Sequence, residues 1–260
     1  MRGGHALGHR GGLSHLHVPG TSPLHRLAPE AKLAGLLGFV VAVALTPRHA
    51  VVAFAAHAVV LLVVVALSRL RPRLVLVRLT AIVPFVAFAL FVPFIATGEQ
   101  VTVLGVSVSE DGLWATWNIV AKATIGATAG IVMAATTPVP DILHGLTRLR
   151  VPRVMVGIIA FMFRYLDLLA DQLGRMRQAM VARCHDPRWL WQARPIAASA
   201  GALFVRSYER GERIHQAMLA RGFTGSMPDL DDRHATAGDW LAALAPAALA
   251  TIALVVAVVG

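Results

Sequence analysis

The chain has 260 residues, of which 57% are hydrophobic and 15% are charged, whereas soluble globular domains carry charges on about a quarter of their residues. This composition predicts a membrane protein. The single cysteine, Cys184, excludes an internal disulfide framework and a cysteine-based zinc site. The net charge of +10 fits a nucleic-acid binder or a membrane protein with cytoplasmic arginines, and the positions of the arginines decide between them.

The N-terminal residues 1–24 are rich in Gly and His and predict a flexible cytoplasmic tail. Five histidines lie within the first 25 residues: His5, His9, His15, His17 and His25. Neutral imidazoles bind nickel, cobalt or zinc, but a glycine-rich tail without acidic or cysteine ligands favours a solvated tail. His25 belongs to the signature TSPLHRLAPE and is expected to order the start of a helix. We therefore predict no metal site and no cofactor.

Apolar segments predict about five transmembrane helices and an all-α polytopic fold. The first, Leu33 to Leu45, reaches the required length of roughly 20 residues only if its helix starts near His25, with Arg26 and Lys32 snorkelling to the headgroups. The other four run from Val51 to Leu67, Leu79 to Ala96, Leu113 to Thr136 and Trp240 to Val259. Residues 25–136 thus form a four-helix membrane portion.

Loop charges predict the orientation of these helices. The connection 68–78 holds four arginines and no acid, whereas the connection 97–114 holds three acids and no base. The first is therefore predicted to be cytoplasmic and the second external, which places the N-terminus inside and the C-terminus outside. Residues 137–239, with 14 arginines and 10 acids, become a cytoplasmic segment, and residues 240–260 become the last transmembrane helix. Because topology explains the basic excess, no nucleic-acid partner is predicted.

The cytoplasmic segment is predicted to be helical. Its helices are expected at Asp141 to Leu149, Arg153 to Arg183 and Pro195 to Arg221. The apolar run 154–163 is about ten residues long, too short to span a bilayer, and indicates an amphipathic or buried helix. Gly211, inside the last of these helices, indicates close packing or a bend there.

One phrase occurs twice in this segment, as QAMVARC at 178–184 and QAMLARG at 216–222. Each copy ends a predicted helix. One interpretation is that Arg183 and Arg221 complement the helix dipole. The other is that each arginine projects into a groove of a partner and pairs with carboxylates, and two copies would suit a two-fold symmetric partner. The residues alone leave both open.

Four stretches resemble the transmembrane T component of energy-coupling factor (ECF) transporters, specifically its CbiQ-type cobalt subfamily. They are SPLHRLAPEAKL, LRVP with FMFRYLDLL, DPRWLWQAR, and LFVRSYERGERIHQAMLARGFTG. In that family, two Ala-Arg-Gly motifs end cytoplasmic coupling helices and insert into grooves of a pair of ABC ATPases. By this resemblance the motifs are Ala182, Arg183 and Cys184, and Ala220, Arg221 and Gly222. Cys184 stands where glycine is usual, and a tight turn after the arginine favours glycine.

The resemblance implies a transporter subunit that is not an enzyme. The sequence has no G-x-x-x-x-G-K-[ST] phosphate loop, so two partner ATPases would hydrolyse ATP. Their motion would reach a substrate-binding membrane subunit, with the apolar stretches 154–163 and 197–205 as candidate contacts unless these pack on each other. Cobalt is the implied ion, and a nickel or vitamin importer is the alternative.

A self-contained channel or membrane enzyme is a weaker alternative. A channel or transporter with its own substrate site would need paired ionisable groups in its spans, and an intramembrane metalloprotease would need H-E-x-x-H. The spans are instead nearly pure Ala, Val, Leu, Ile and Phe. Lys122 is the one basic residue well inside a span, and we expect it to snorkel to the outer headgroups.

Overall fold

The computed structural model describes residues 18–96, 100–103, 106–184, 194–225 and 235–259. These residues form two compact units. We call residues 18–149 with 235–259 the spanning unit, and residues 150–184 with 194–225 the hairpin unit. Most of the predicted flexible tail, residues 1–17 with four of its histidines, lies outside the described residues.

Helices make up most of both units. The spanning unit contains α1 (Pro23–Arg26), α2 (Pro29–Leu45), α3 (Val51–Ser68), α4 (Pro72–Leu79), a 3-10 turn (Thr80–Ile82), α5 (Val83–Ala89), α6 (Val92–Ile95), α7 (Glu110–Thr136), α8 (Val139–Arg148) and α11 (Ala237–Val259). The hairpin unit contains α9 (Arg153–Ala182) and α10 (Arg194–Leu219). A short antiparallel pair, β1 (Gln100–Val103) and β2 (Val106–Ser109), lies in the predicted external connection. The predicted helical membrane fold is confirmed, with this β-hairpin as an addition.

Four helices of the described chain are long and apolar enough to cross a bilayer: α3, the continuous run Pro72–Ile95, α7 and α11. The run Pro72–Ile95 begins seven residues before the predicted start at Leu79, so Arg73 and Arg78 lie on the helix and not in the connection. The prolines of this run begin α5 and α6 instead of interrupting a turn, because the first turn of a helix does not use the missing amide.

The first predicted span differs from its prediction. Helix α2 starts at Pro29 and not near His25, and its 17 residues cover about 25 Å against a hydrocarbon core of about 30 Å. Ala28 has an extended backbone because the residue before a proline is disfavoured in the helical region. Lys32 does not snorkel: it is 8% exposed, and its Nζ donates to Thr137 Oγ1 at 2.8 Å.

Small residues let α2 and α11 approach each other closely. A β-carbon at Gly35 would overlap the main-chain carbonyl of Ala243, and one at Gly38 would lie 3.1 Å from the Ala247 side chain. Association of helices in lipid depends on such close packing because burial from water is absent there. Buried side chains of α2, α3, α7 and α11 form the surrounding core: Phe39, Ala42, Val43, Phe54, Leu61, Ile125, Ala129, Ala247 and Ala250.

The N-terminal signature is attached to the spanning unit, as the sequence predicts for His25. The amide of Val18 donates to the carbonyl of Ala135 at 2.9 Å. The ring of His25 lies 2.6 Å from Ser22 Oγ through Nδ1 and 3.0 Å from the Val18 carbonyl through Nε2. We assign Nε2–H as the donor to that carbonyl, which leaves Nδ1 to accept from the serine. Residues 18–24, assigned to the tail from sequence, therefore contact the helices.

Candidate functional site

The second copy of the repeated phrase ends helix α10 in a Schellman turn. The amide of Gly222 donates to the carbonyl of Leu219 at 2.9 Å. The amide of Phe223 donates to the carbonyl of Met218 at 3.0 Å. Gly222 has a φ of +81°, in the left-handed region that this turn requires and that glycine enters without steric cost. The chain therefore leaves the helix directly after Arg221.

The first copy makes one of these two turn bonds, and it does so without glycine. The amide of Cys184 donates to the carbonyl of Val181 at 2.9 Å, which matches the bond made by Gly222. Cys184 has a φ of +57°. A side chain in this conformation costs about 1–2 kcal/mol because its β-carbon approaches the backbone. The cysteine thus strains the turn without abolishing it, and α9 stops at Ala182 in the same way as α10 stops at Leu219.

The six motif residues are exposed: Ala182, Arg183, Cys184, Ala220, Arg221 and Gly222. The guanidinium groups of the two arginines make no hydrogen bond or ion pair with any other residue that the structure describes. The favourable interaction of each arginine with the dipole of its helix remains, since it needs no direct hydrogen bond. Both planar donor groups are nevertheless available to a partner.

Helices α9 and α10 run antiparallel. Near the end of α9, the sulfur of Met180 accepts a weak hydrogen bond from Ser199 Oγ, 3.7 Å away in the first turns of α10. Farther along, Phe161 of α9 and Met218 of α10 line one cavity between the helices. Residues early in one helix thus face residues late in the other.

This arrangement places the two motifs at opposite ends of the hairpin unit. Arg183 lies at the end where α10 starts, and Arg221 lies at the end where α9 starts. Helix α10 has 26 residues and is about 40 Å long, which sets the separation of the two arginines along the hairpin. The hairpin therefore offers two similar cationic contacts far apart on one helical unit.

Gly211 does not mark close packing. A β-carbon added there would have no atom within 4 Å, and the residue lines the cavity between α9 and α10. The close-packing interpretation of this glycine is therefore wrong. An alanine would fit at this position without a clash.

Apolar side chains remain exposed on both helices of the hairpin unit. In α9, Val154 is 67% exposed and Ile158 is 63% exposed. In α10, Phe204 is 72% exposed. These side chains are therefore not used mainly for packing between the two helices. Exposed apolar surface of this kind marks contact with another protein or with lipid.

A family model described as CbiQ, cobalt transport protein, matches residues 20–230, a range that includes both copies of the repeated phrase. The chain belongs to the CbiQ cobalt transport protein family. The resemblance drawn from the motifs is thereby confirmed. Because four apolar helices among its described residues are long enough to cross a bilayer, this CbiQ-family chain is a membrane protein of a transport family.

Individual relatives cover different shares of the chain. The cobalt transport protein CbiQ of Rhodobacter capsulatus is 30% identical over 55% of this chain and 60% of its own length. The energy-coupling factor transporter transmembrane protein EcfT of Thermotoga maritima is 23% identical over 82% and 81%, respectively. The nickel permease LarQ of Lactiplantibacillus plantarum is 33% identical over 45% and 42%. The match thus spans less than two thirds of the Rhodobacter and Lactiplantibacillus relatives.

Lys122 of the CbiQ-family chain contacts the end of α2. Its Nζ donates to the carbonyl of Ala44 at 2.7 Å. Thr46 Oγ1 donates to the carbonyl of Ala42 at 2.9 Å. The last carbonyls of a helix have no partner within the helix, and leaving them unpaired inside a bilayer is costly. Lys122 therefore satisfies a free helix end, a role that the sequence did not reveal.

His57 is a polar residue of the core that the sequence reasoning missed. It lies in α3, has no exposed surface, and its Nε2 is 3.2 Å from the carbonyl of Ala250 in α11. Phe39 and Phe54 contact the ring edge-on. A lone histidine within an otherwise apolar span was the available signal, because such groups face the bundle interior and pair there.

The described residues contain no group of three or more His, Cys, Asp or Glu side chains that could hold a metal ion. His57 is separated from other ligand types by its apolar surroundings, and the histidine-rich tail before residue 18 lies outside the described part of the chain. The two helix-ending turns, each with an exposed arginine, therefore remain the candidate contacts of the described residues.

Proposed function

We propose that this chain is the transmembrane coupling subunit of an ECF-type ABC importer. In this role it transmits ATP-driven motion from two ATPase subunits to a substrate-binding membrane subunit. The observation that carries the proposal is the pair of exposed arginines, each at a tight helix-ending turn, at opposite ends of one antiparallel hairpin. The relatives named as energy-coupling factor transmembrane proteins support it.

The geometry of the hairpin suits a partner with two related grooves. Each arginine directly precedes a residue with a left-handed backbone at the end of its helix, and its side chain is exposed. A planar guanidinium pairs with carboxylates through two parallel hydrogen bonds, which fixes orientation as well as attraction. Two such contacts on one hairpin suit a two-fold symmetric pair of ATPases, which presents the same groove twice. Closure of that dimer would move both contacts and so tilt α9 and α10.

The exposed apolar side chains of the hairpin unit are proposed to contact the substrate-binding membrane subunit. Val154, Ile158 and Phe204 are each more than half exposed and lie on the two helices that carry the arginines. Motion received at the helix ends would then be delivered through the same rigid elements.

The proposed orientation has the N-terminus and the hairpin unit in the cytoplasm and the C-terminus outside. Arg69 and Arg71 in the connection after α3 support this by the positive-inside rule. A topology reporter fused after Gly260 is expected to face the exterior. A cytoplasmic reporter would contradict the assigned orientation.

Cobalt is the proposed substrate because the family model is that of a cobalt transport protein. Nickel is the second candidate, since the nickel permease LarQ is 33% identical over its matched part, and a vitamin importer is the third. Uptake of radiolabelled Co²⁺ and Ni²⁺, each in competition with the other, by cells that express the whole transporter would rank the two ions. Uptake of neither would favour the vitamin alternative.

A pull-down in mild detergent tests the coupling role. Wild type is expected to retain two ATPase copies and a small membrane protein, whereas the double variant Arg183→Ala, Arg221→Ala is expected to lose the ATPases and ATP-driven uptake. The matched control is Arg175→Ala with Arg213→Ala, because these exposed arginines stand eight residues before the motif arginines on the same helices. The control is expected to behave as wild type.

Two results of the accompanying uptake measurement would refute the coupling assignment. One is normal uptake by the Arg183→Ala, Arg221→Ala variant. The other is transport by the wild-type chain without any ATPase, which a self-contained channel or enzyme would show. Because Cys184 is the one cysteine of the chain, its maleimide labelling gives an independent readout. Bound ATPases should slow that labelling if the first motif lies in a groove.

A further inference from the structure

The chain passes between the spanning unit and the hairpin unit at two connections, one after α8 and one before α11. A single buried carboxylate lies at both. Glu30 Oε1, in the first turn of α2, accepts from Arg148 Nη1 at 3.1 Å and from the amide of Ala235 at 3.1 Å. Arg148 is the last residue of α8, and Ala235 lies two residues before α11. One side chain thus joins both connections to α2.

The surroundings of Glu30 make this junction tight. Glu30 is 4% exposed. Gly145 of α8 lies against the start of α2, since an added β-carbon would come within 3.0 Å of the Glu30 amide nitrogen. Lys32 holds the connection between α7 and α8 through its 2.8 Å hydrogen bond to Thr137, two residues before α8 begins. Helix α8 is therefore fixed against α2 at both of its ends.

The start of α11 is equally well defined. The amide of Thr236 donates to Asp239 Oδ2 at 2.9 Å, and the amide of Asp239 lies 3.3 Å from Thr236 Oγ1. These reciprocal bonds form a capping box that orients the first turn of the helix. The bond from Ala235 to Glu30 connects this ordered start directly to α2.

We propose that Glu30 is a positioning residue for coupling, whose carboxylate fastens both connections of the hairpin unit to α2. This inference rests on the proposed coupling function. Motion of the hairpin then reaches α2 and, through the closely packed α2 and α11, the membrane core. Without this junction, the two connections would bend when the hairpin moves, and α2 would not follow.

The chemistry of the pair favours positioning over stability. Glu30 Oε2 is buried and has no hydrogen-bond partner among the described residues. Buried ion pairs add little net stability because desolvation offsets their attraction, and in some proteins they select one arrangement instead. The Glu30 carboxylate fits such a positioning role, because one oxygen binds both connections and the other has no hydrogen-bond partner among the described residues.

The test uses the complete transporter in proteoliposomes, with ATP hydrolysis and ion uptake measured together. Glu30→Gln keeps the size and an acceptor for Ala235 but removes the charge that attracts Arg148. We expect normal assembly and an increase of about fivefold or more in ATP hydrolysed per ion transported, the lower end of usual coupling effects. Glu110→Gln, an exposed acid in the first turn of α7, is the control and should leave the ratio unchanged.

Two further variants make the test specific. The double variant Glu30→Gln, Arg148→Met is expected to uncouple no more than Arg148→Met alone, since that variant already removes the contact between the two side chains. Gly145→Ala leaves the charges intact but forces α8 away from α2, and it should raise the ratio in the same direction. If the Glu30→Gln transporter does not assemble, the ratio of ATP hydrolysed per ion transported by the Gly145→Ala transporter decides whether the junction is needed for coupling.

The possible results separate this inference from the coupling function. A normal ratio in assembled Glu30→Gln and Gly145→Ala complexes, together with loss of ATPases from the Arg183→Ala, Arg221→Ala variant, would overturn the role of Glu30 alone. Additive effects of Glu30→Gln and Arg148→Met would also overturn it. Absence of ATPases from the wild-type complex would refute the coupling function and this inference with it.

Discussion

The same substitution, glycine to alanine, should have opposite effects at two positions of α10 and its terminal turn. Gly222 has a φ of +81°, so alanine there costs about 1–2 kcal/mol. This cost weakens the two hydrogen bonds of the turn, from the Gly222 amide to the Leu219 carbonyl and from the Phe223 amide to the Met218 carbonyl. Gly211 lies within the helix, where alanine is favoured by about 0.8–1.0 kcal/mol. No atom lies within 4 Å of a β-carbon at Gly211, so no clash offsets this gain.

Amide hydrogen exchange followed by mass spectrometry, on the chain in lipid nanodiscs, measures both effects. One to two kcal/mol corresponds to a factor of about 5–30, so Gly222→Ala should accelerate exchange in the last turn of α10 by about that factor. Gly211→Ala should slow exchange around the middle of α10 by about fivefold. Peptides from α3, which neither substitution touches, provide the internal reference.

Two results would refute this reasoning. If Gly222→Ala leaves exchange unchanged while Gly211→Ala slows it, the turn does not require a left-handed residue. If both substitutions shift exchange in the same direction, the hairpin responds as a whole and the local backbone argument fails. The measurement needs no partner protein, so its outcome is independent of the proposed coupling function.

Three other substitutions test separate contacts. Cys184→Gly should relieve strain of about 1 kcal/mol and slow exchange in the last turn of α9. Lys122→Met removes the bond to the Ala44 carbonyl and should destabilise the spanning unit by about 1–3 kcal/mol, read as a lower Tm in nanodiscs. His57→Leu removes the bond to the Ala250 carbonyl and should cost less, about 0.6 kcal/mol, as is usual for hydrogen bonds between helices in lipid.

Each of these three has a result that counts against it. Faster exchange in Cys184→Gly would mean that the cysteine side chain, and not the backbone, stabilises the turn. An unchanged Tm in Lys122→Met would show that the ammonium does not satisfy the end of α2, and Lys122→Arg, which keeps a donor, is its matched comparison. A larger decrease in Tm for His57→Leu than for Lys122→Met would contradict the expectation that the Lys122 contact contributes more to stability.

Apolar periodicity and residue composition were sufficient to predict those helices whose ends are set by nearby residues, such as a preceding proline or a left-handed residue. Helix α9 was expected at Arg153 to Arg183 and occupies Arg153–Ala182, because a proline precedes it and a left-handed residue ends it. The repeated phrase was equally readable, since both copies end helices. The first span was misjudged although Pro29 was the available signal, because the residue before a proline is disfavoured in the helical region.

The sequence by itself determined that this chain crosses a membrane, where most of its helices lie, and which arginines end the two hairpin helices, because these properties follow from residue type and local spacing. The tertiary structure alone decided which distant groups meet: Lys122 with Ala44, His57 with Ala250, and Glu30 with Arg148 and Ala235. Such contacts join positions up to 205 residues apart. Polar groups in a bundle take whichever free partner the packing of helices brings near, and that packing is a property of the whole fold.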